Sequence, residues 1–243
     1  MEVKAYTSVP VVFAGLSLSH AEAGAFGSAE IRPPVKRGDL DALESGRVVA
    51  IIDGELDPVT MLTIDEIRRA IDRGMKVRGA ASIGALRAFE TRDNGMEGVG
   101  WVYDAYCTGR IVGTDEIAVV YEPLSRRPLT VPLVNVRFCL DRLVSGGSIT
   151  VAEADAAMST LKSLRVEERG RRGVLLRLAH VFGSARVKAA LRLAAELDSN
   201  IKKRDAFHLL RTLGARRYPR HHSLQQHTPS ASLVLPARAD EHD

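Results

Sequence analysis

The chain has few residues of the kinds that build disulfides or metal centres. Only two cysteines, Cys107 and Cys139, occur among its 243 residues, and their positions form no zinc motif. Such sparse cysteine usage is typical of a reducing compartment, and we predict a cytoplasmic protein with no bound metal. No apolar run approaches the roughly 18 residues of a membrane helix. The apolar stretch Val11–Gly15 is more typical of a core strand than of a signal peptide.

Nucleotide-binding motifs are also missing. The glycine-rich stretch Gly95–Gly100 does not have the spacing of the dinucleotide fingerprint, and no Walker-type loop occurs. Basic residues are not interleaved with aromatic ones, as they are in many RNA-binding and single-stranded DNA-binding surfaces. The sequence therefore predicts neither a cofactor nor a nucleic-acid partner.

Charge is unevenly distributed along the chain. Residues 1–161 carry 17 lysines and arginines against 22 acidic residues, whereas residues 162–211 carry 13 against 5. A basic segment of this kind suggests an acidic protein partner, and a solvated helix surface is the alternative interpretation. The overall hydrophobic content of 45% and charged content of 26% are ordinary for a globular protein.

Strand patterns and helix patterns alternate over the first 90 residues. Val48–Ile52 is a continuous apolar run, typical of a buried parallel strand, and residues 59–73 have apolar side chains at helical spacing. This alternation predicts an α/β fold, a Rossmann-like parallel sheet with flanking helices, followed by a smaller all-α segment. We expect three parts: an α/β core at 1–145, a basic helical segment at 146–213 and a disordered tail at 214–243.

The stretch Lys76–Glu90 has the pattern of a strand, a tight turn of small residues and a helix. A serine at the apex of such a turn, here Ser82, is the arrangement of a nucleophile elbow, although Ala80 stands where the usual elbow has glycine. The N–H groups of Ile83 and Gly84 would lie at the helix start, where they can stabilise an oxyanion or a bound anion. The alternative interpretation is that Ser82 only caps the helix.

Three loops follow predicted strands: Gly15–Ser19, Asp53–Glu55 and Ala80–Gly84. Ligands of parallel α/β sheets bind beyond the carboxyl ends of the strands, so we expect these loops to form one site, called the mouth below. Asp53 at a strand tip is a candidate base or orienting carboxylate, or else a helix cap. Lys36 and Arg37 would bring positive charge to the mouth, or are simply solvated.

A series of motifs resembles the TfuA family over about residues 10 to 145. The motifs occur in the family's order: Phe13–Leu18, Arg32–Asp39, Ile51–Gly54, Gly79–Ala88, Gly95–Gly100 and Asp115–Val119. One departure is Leu16, where the family more usually has proline.

This resemblance implies an accessory protein in the maturation of ribosomally synthesised peptides (RiPP biosynthesis). The expected partner is a YcaO enzyme, which activates a backbone amide of a precursor peptide with ATP during thioamide formation. The TfuA-like protein would hydrolyse the thiocarboxylated C-terminus of a ThiS-like carrier protein and so supply sulfide. Its reaction would be acyl transfer, which agrees with the serine turn read from the residues alone.

The implied chemistry assigns roles to the residues of the mouth. Ser82 would attack the carrier's thioacid carbonyl, and the proton would pass to Asp53, with Lys36 and His20 as other candidate bases. The amides of Gly15–Leu16 and Ile83 would line the oxyanion hole. Further residues expected to bind the substrate are Ser17, Gly84 and the arginines Arg37 and Arg87.

Two other functions remain open at this point. In one, the protein is a noncatalytic adaptor that recruits or activates the YcaO enzyme, and the Ser82 turn is only an anion pocket. In the other, Cys107 carries persulfide sulfur; its amphipathic surroundings favour a buried structural thiol over this role.

Overall fold

The computed structural model describes residues 9–27, 29–183, 186 and 200–213. Its centre is a single sheet of five parallel strands in the order β2-β1-β3-β4-β5. The strands are β1 (Val11–Phe13), β2 (Glu30–Arg32), β3 (Val48–Ile51), β4 (Lys76–Ala80) and β5 (Glu97–Val99). The predicted α/β class with a parallel, Rossmann-like sheet is confirmed.

The helices are α1 (His20–Gly24), α2 (Ile64–Asp72), α3 (Ile83–Glu90), α4 (Trp101–Cys107), α5 (Leu133–Ser145), α6 (Val151–Lys162), α7 (Arg171–Phe182) and α8 (Ile201–Thr212). Local sequence explains several of their starts. Ser19 and Thr150 each form a capping box with the glutamate three residues later, and the Thr63 hydroxyl accepts from the Glu66 N–H.

Both faces of the sheet are buried, because alternate strand residues enter two different hydrophobic clusters. Phe13 and Ile51 point towards α2, α3 and α4, whereas Val12 and Ile52 point towards α1 and α8. Alternation of side chains thus divides each short apolar strand between two helical layers, which explains why its sequence is apolar throughout.

A third hydrophobic cluster, away from the sheet, is formed mainly by α5, α6 and α7. The boundary expected between residues 145 and 146 therefore falls between α5 and α6, two helices that share this cluster. Helix α8 belongs by sequence to the basic helical segment, yet its apolar side packs on the sheet through Ala206, Leu209 and Leu210. The tail expected at 214–243 lies outside the described residues.

A buried ion-pair group joins the helical cluster to the core. The Glu116 side chain is fully buried and pairs with Arg137 at 2.7 Å and with Lys162 at 2.8 Å. Burial alone would raise the pKa of Glu116, but the hydrogen bonds from these two cations outweigh it and lower that pKa. Residues 116–121, which have a strand pattern, form no strand; only Tyr121 makes an isolated bridge, with Pro128.

None of the helices described is both long and apolar enough to cross a membrane.

Candidate functional site

The three loops of the mouth follow β1, β3 and β4, which are neighbours in the sheet. Since all strands are parallel, these loops leave the same edge. The chain order reverses direction at β1, where β2 lies on one side and β3 on the other. Such a switch point is where open parallel sheets bind their ligands.

Asp53 is the centre of the first half of the mouth. One carboxylate oxygen accepts hydrogen bonds from the N–H groups of Gly15, Leu16 and Ser17 at 3.0, 2.9 and 2.8 Å. The other oxygen accepts the Ser17 hydroxyl at 2.6 Å. Asp53 is only 1% exposed, and these four hydrogen bonds offset the free-energy cost of burying its carboxylate.

This arrangement has two consequences for the predicted roles. Asp53 does not cap the next helix, which Thr63 caps. The amides of Gly15 and Leu16, expected in the oxyanion hole, already donate to Asp53. Three successive N–H groups around one oxygen form a nest of the kind that binds phosphate in other sheets, and here a side chain of the protein occupies it.

The turn before α3 is built differently. Ala81 has a φ of 67°, in the left-handed region, and the Ser82 N–H donates to the Ala80 carbonyl at 2.8 Å. A hydrogen bond spanning two residues around a positive φ is a γ-turn, a rare and strained conformation for alanine. The strained position thus lies one residue before Ser82.

Ser82 occupies the N-cap position of α3, but its side chain makes no capping hydrogen bond. The residue is only 5% exposed, and no partner of its hydroxyl is found within the described chain. The interpretation of Ser82 as a simple cap is therefore wrong. A serine hydroxyl at the tip of a turn that makes no hydrogen bond within the described chain is available to a ligand, which makes Ser82 a candidate for ligand contact.

Two glycines bring α3 against the strands. A Cβ on Gly84 would lie 1.8 Å from the Ile51 carbonyl oxygen, and one on Gly79 would lie 2.0 Å from the Gly84 oxygen. The Gly84 N–H points to the Ile52 carbonyl at 3.5 Å, so it is not free for an oxyanion. Of the predicted oxyanion donors, the Ile83 N–H has no hydrogen-bond partner in the part of the chain described.

Lys202, at the start of α8, is a buried cation that the sequence did not single out. It is 3% exposed, and its Nζ donates to the Ile117 carbonyl at 3.0 Å. Burial lowers the pKa of Lys202, while the charge of Asp53 acts in the opposite direction. The sequence gives no sign that Lys202 is buried, because Lys202-Lys203-Arg204 looks like a solvated basic run.

A loop at residues 120–130, called the lid loop below, also reaches the mouth. Its ends are joined by hydrogen bonds from Leu129 to Val120 and from Glu122 to Arg127. The Arg126 side chain packs against the first loop, with its Nη1 3.0 Å from the point where Gly15 would carry a Cβ. Arg126 was not predicted, since nothing local in the sequence connects it to Gly15.

The remaining predicted site residues lie as follows. Lys36 and Arg37 are exposed, and the Arg37 guanidinium donates to the Pro58 carbonyl at 2.9 Å. The Arg87 guanidinium is engaged with the Leu62 carbonyl, Met61 and Glu90. His20 donates through Nε2 to the Ala14 carbonyl at 3.1 Å.

Cys107 is exposed, so the buried structural interpretation of this thiol is wrong. It ends α4, a helix that begins after β5 at the edge of the sheet bearing the mouth and runs away from it. Among the described residues, no group of three or more histidine, cysteine or acidic side chains is placed to hold a metal ion.

The fold and the site define a class: a parallel α/β protein with a serine turn next to the switch point of its sheet. The family model described as TfuA-like protein matches residues 53–170, so this part of the chain is similar to the TfuA-like family. The match begins at Asp53 and includes the Ser82 turn, the lid loop and α5–α6. No curated protein was found to match the chain.

Proposed function

We propose that this protein is an accessory sulfur-delivery hydrolase that acts on a thiocarboxylated ThiS-like carrier and supplies sulfide to a YcaO enzyme for backbone thioamide formation. The similarity of residues 53–170 to the TfuA-like family supports the accessory role. The observation that carries the catalytic part is the Ser82 hydroxyl at the tip of the turn, which makes no cap and has no partner on the described chain.

The proposed reaction is acyl transfer in two steps. Ser82 Oγ attacks the carbonyl carbon of the carrier's terminal thiocarboxylate, and the C–S bond breaks. The hydroxyl proton, carried by the base, ends on the departing sulfur as hydrosulfide. Water then attacks the acyl-serine and the ester C–O bond breaks; one proton of the water returns to Ser82 Oγ, and the other passes to solvent as the carrier leaves as a carboxylate. The Ile83 N–H is the donor available for the oxyanion in both steps.

Two groups are candidates for the base. Asp53, predicted from its strand-tip position, is held by four donors, and this favours a role in orienting the first loop. Lys202 is buried near Asp53, and its lowered pKa favours the neutral amine that a general base requires.

Sulfide release from a thiocarboxylated carrier tests the function. We expect Ser82→Ala to lower release by at least about a hundredfold, because the nucleophile is lost. Ser159→Ala, at an exposed position on α6, is the matched control and should release sulfide at the wild-type rate. Equal release by the wild type and Ser82→Ala would contradict the acyl-serine step. If the wild type releases no sulfide either, the noncatalytic adaptor function is the one supported. Its test is then binding of the protein to the YcaO enzyme.

The pH profile of the same assay separates the two bases. A lysine base is active when deprotonated, so release should rise with pH through the lowered pKa of Lys202 and lose that rise in Lys202→Met. If Asp53 is the base instead, Asp53→Asn should abolish release, whereas Lys202→Met should leave the shape of the pH profile unchanged. Far-UV circular dichroism of both variants is the control for folding.

A further inference from the structure

The lid loop places a cation in an unusual environment. Arg126 has a positive φ of 55°, and its side chain fills the space left by the missing side chain of Gly15, next to Pro34. A Cβ on Gly15 would lie 2.9 Å from Pro34 and 3.0 Å from Arg126 Nη1, closer than side chains normally approach. Glycine at this position therefore makes room for the guanidinium at the mouth.

Arg126 Nη1 is buried and has no hydrogen-bond partner on the described chain. Other arginines with a buried unpaired nitrogen use their remaining nitrogens: Arg47 donates to Glu30 and Arg73 donates to the Leu40 carbonyl. No salt bridge of Arg126 occurs among the described residues. A guanidinium in this state lacks the acceptor that its geometry and charge require.

The neighbouring acidic group does not pair with Arg126. Glu55 ends the second loop of the mouth, and no salt bridge between Glu55 and Arg126 occurs among the described residues. Burial and the charge of Glu55 raise the pKa of Tyr121 in the lid loop, and Arg126 lowers it. Glu55 and Arg126 therefore both lie near Tyr121 without forming an ion pair.

The loops connect Arg126 to the serine turn through direct packing. Gly15, against which Arg126 lies, donates to Asp53. Gly54, the next residue, is in contact range of Ile83 at the start of α3. Contacts through the first and second loops of the mouth therefore link Arg126 to the start of α3, where Ser82 lies.

We propose that Arg126 determines the substrate specificity of the mouth. Its guanidinium binds the anionic carboxylate or thiocarboxylate end of the carrier chain. This inference rests on the proposed function for the identity of the ligand, whereas the unpaired guanidinium is a property of the fold. A planar guanidinium pairs with two carboxylate-type atoms at once, so it favours a free chain end over an amide. The same contact makes the carboxylated carrier, the reaction product, a competitive inhibitor.

Binding to the Ser82→Ala variant, which holds the ligand without turnover, tests the selectivity. The two probes are the ThiS-like carrier ending in a free carboxylate and the same carrier ending in a carboxamide. We expect the carboxylate form to bind about 10- to 100-fold more tightly, as for a charge-assisted hydrogen bond. Adding Arg126→Gln should remove this preference, whereas Arg127→Gln, at an exposed position on the same loop, should retain it.

Kinetics of sulfide release give a second readout. In an otherwise wild-type chain, Arg126→Gln should raise KM and the inhibition constant of the carboxylated carrier by similar factors, and Arg126→Lys should restore part of both. An equal affinity for the two probes, or a preference that survives Arg126→Gln, would overturn the assignment while leaving the hydrolase intact. Selective binding without any sulfide release would refute the hydrolase and retain the Arg126 site.

Discussion

The first loop and the Ser82 turn both lie at the mouth, yet they differ in whether their polar groups have hydrogen-bond partners within the protein. In the first loop, four donors converge on Asp53, and the N–H groups of Gly15, Leu16 and Ser17 are all used within the protein. In the turn, the Ser82 hydroxyl and the Ile83 N–H have no partner on the described chain, and Ala81 is strained. The comparison separates a loop that is built for rigidity from a turn whose polar groups remain available to a ligand.

Removing the acceptor of the first loop should have the largest effect on stability. Asp53→Ala leaves three N–H groups and one hydroxyl without their acceptor in a buried site. At roughly 1 kcal/mol for each donor, we expect the free energy of unfolding to fall by about 4 kcal/mol, measured by urea denaturation.

Asp57→Ala is the matched control for that measurement. Asp57 also accepts backbone N–H groups, from Val59 and Thr60, but it is exposed. Water can replace its carboxylate, so the loss should stay below about 1 kcal/mol. Similar losses for the two variants would show that the first loop does not depend on Asp53.

The two serines of the mouth provide a smaller and sharper comparison. Ser17→Ala removes a buried 2.6 Å hydrogen bond to a carboxylate, and we expect a loss of about 2 kcal/mol in the free energy of unfolding. Ser82→Ala removes a hydroxyl that has no partner on the described chain, so its free energy of unfolding should change by less than about 0.5 kcal/mol. A loss as large for Ser82→Ala as for Ser17→Ala would mean that the Ser82 hydroxyl is a structural group.

Much of the sheet could be predicted from local sequence. The apolar runs at Val11 and Val48 form β1 and β3, and the strand–turn–helix pattern around Ser82 forms β4 and α3. Parallel strands with both faces covered carry a strong apolar signal, and this signal located the three loops of the mouth. The strand pattern at 116–121 was misleading, because Glu116 is buried by ion pairs and Ile117 by the core.

Other elements could not be predicted, because their contacts span long stretches of chain. Strand β5 has only three residues, and its Gly98 pairs with Gly79 of β4. Helix α8 covers one face of the sheet although 101 residues of sequence separate Val99, the last residue of β5, from Ile201. Its Asp205 accepts from the N–H groups of Trp101 and Val102, and burial raises the pKa of Asp205 to about 6.

The sequence alone determined the parallel α/β fold, the resemblance to the TfuA family and the position of Ser82 at the tip of a turn, because strand burial and turn chemistry are local patterns. Only the tertiary structure decided that Asp53 accepts four hydrogen bonds while the Ser82 hydroxyl has no partner on the described chain. The same holds for Lys202 and Arg126, which reach the mouth from α8 and the lid loop. Their surroundings depend on which distant elements pack together, and neither propensity nor spacing records that information.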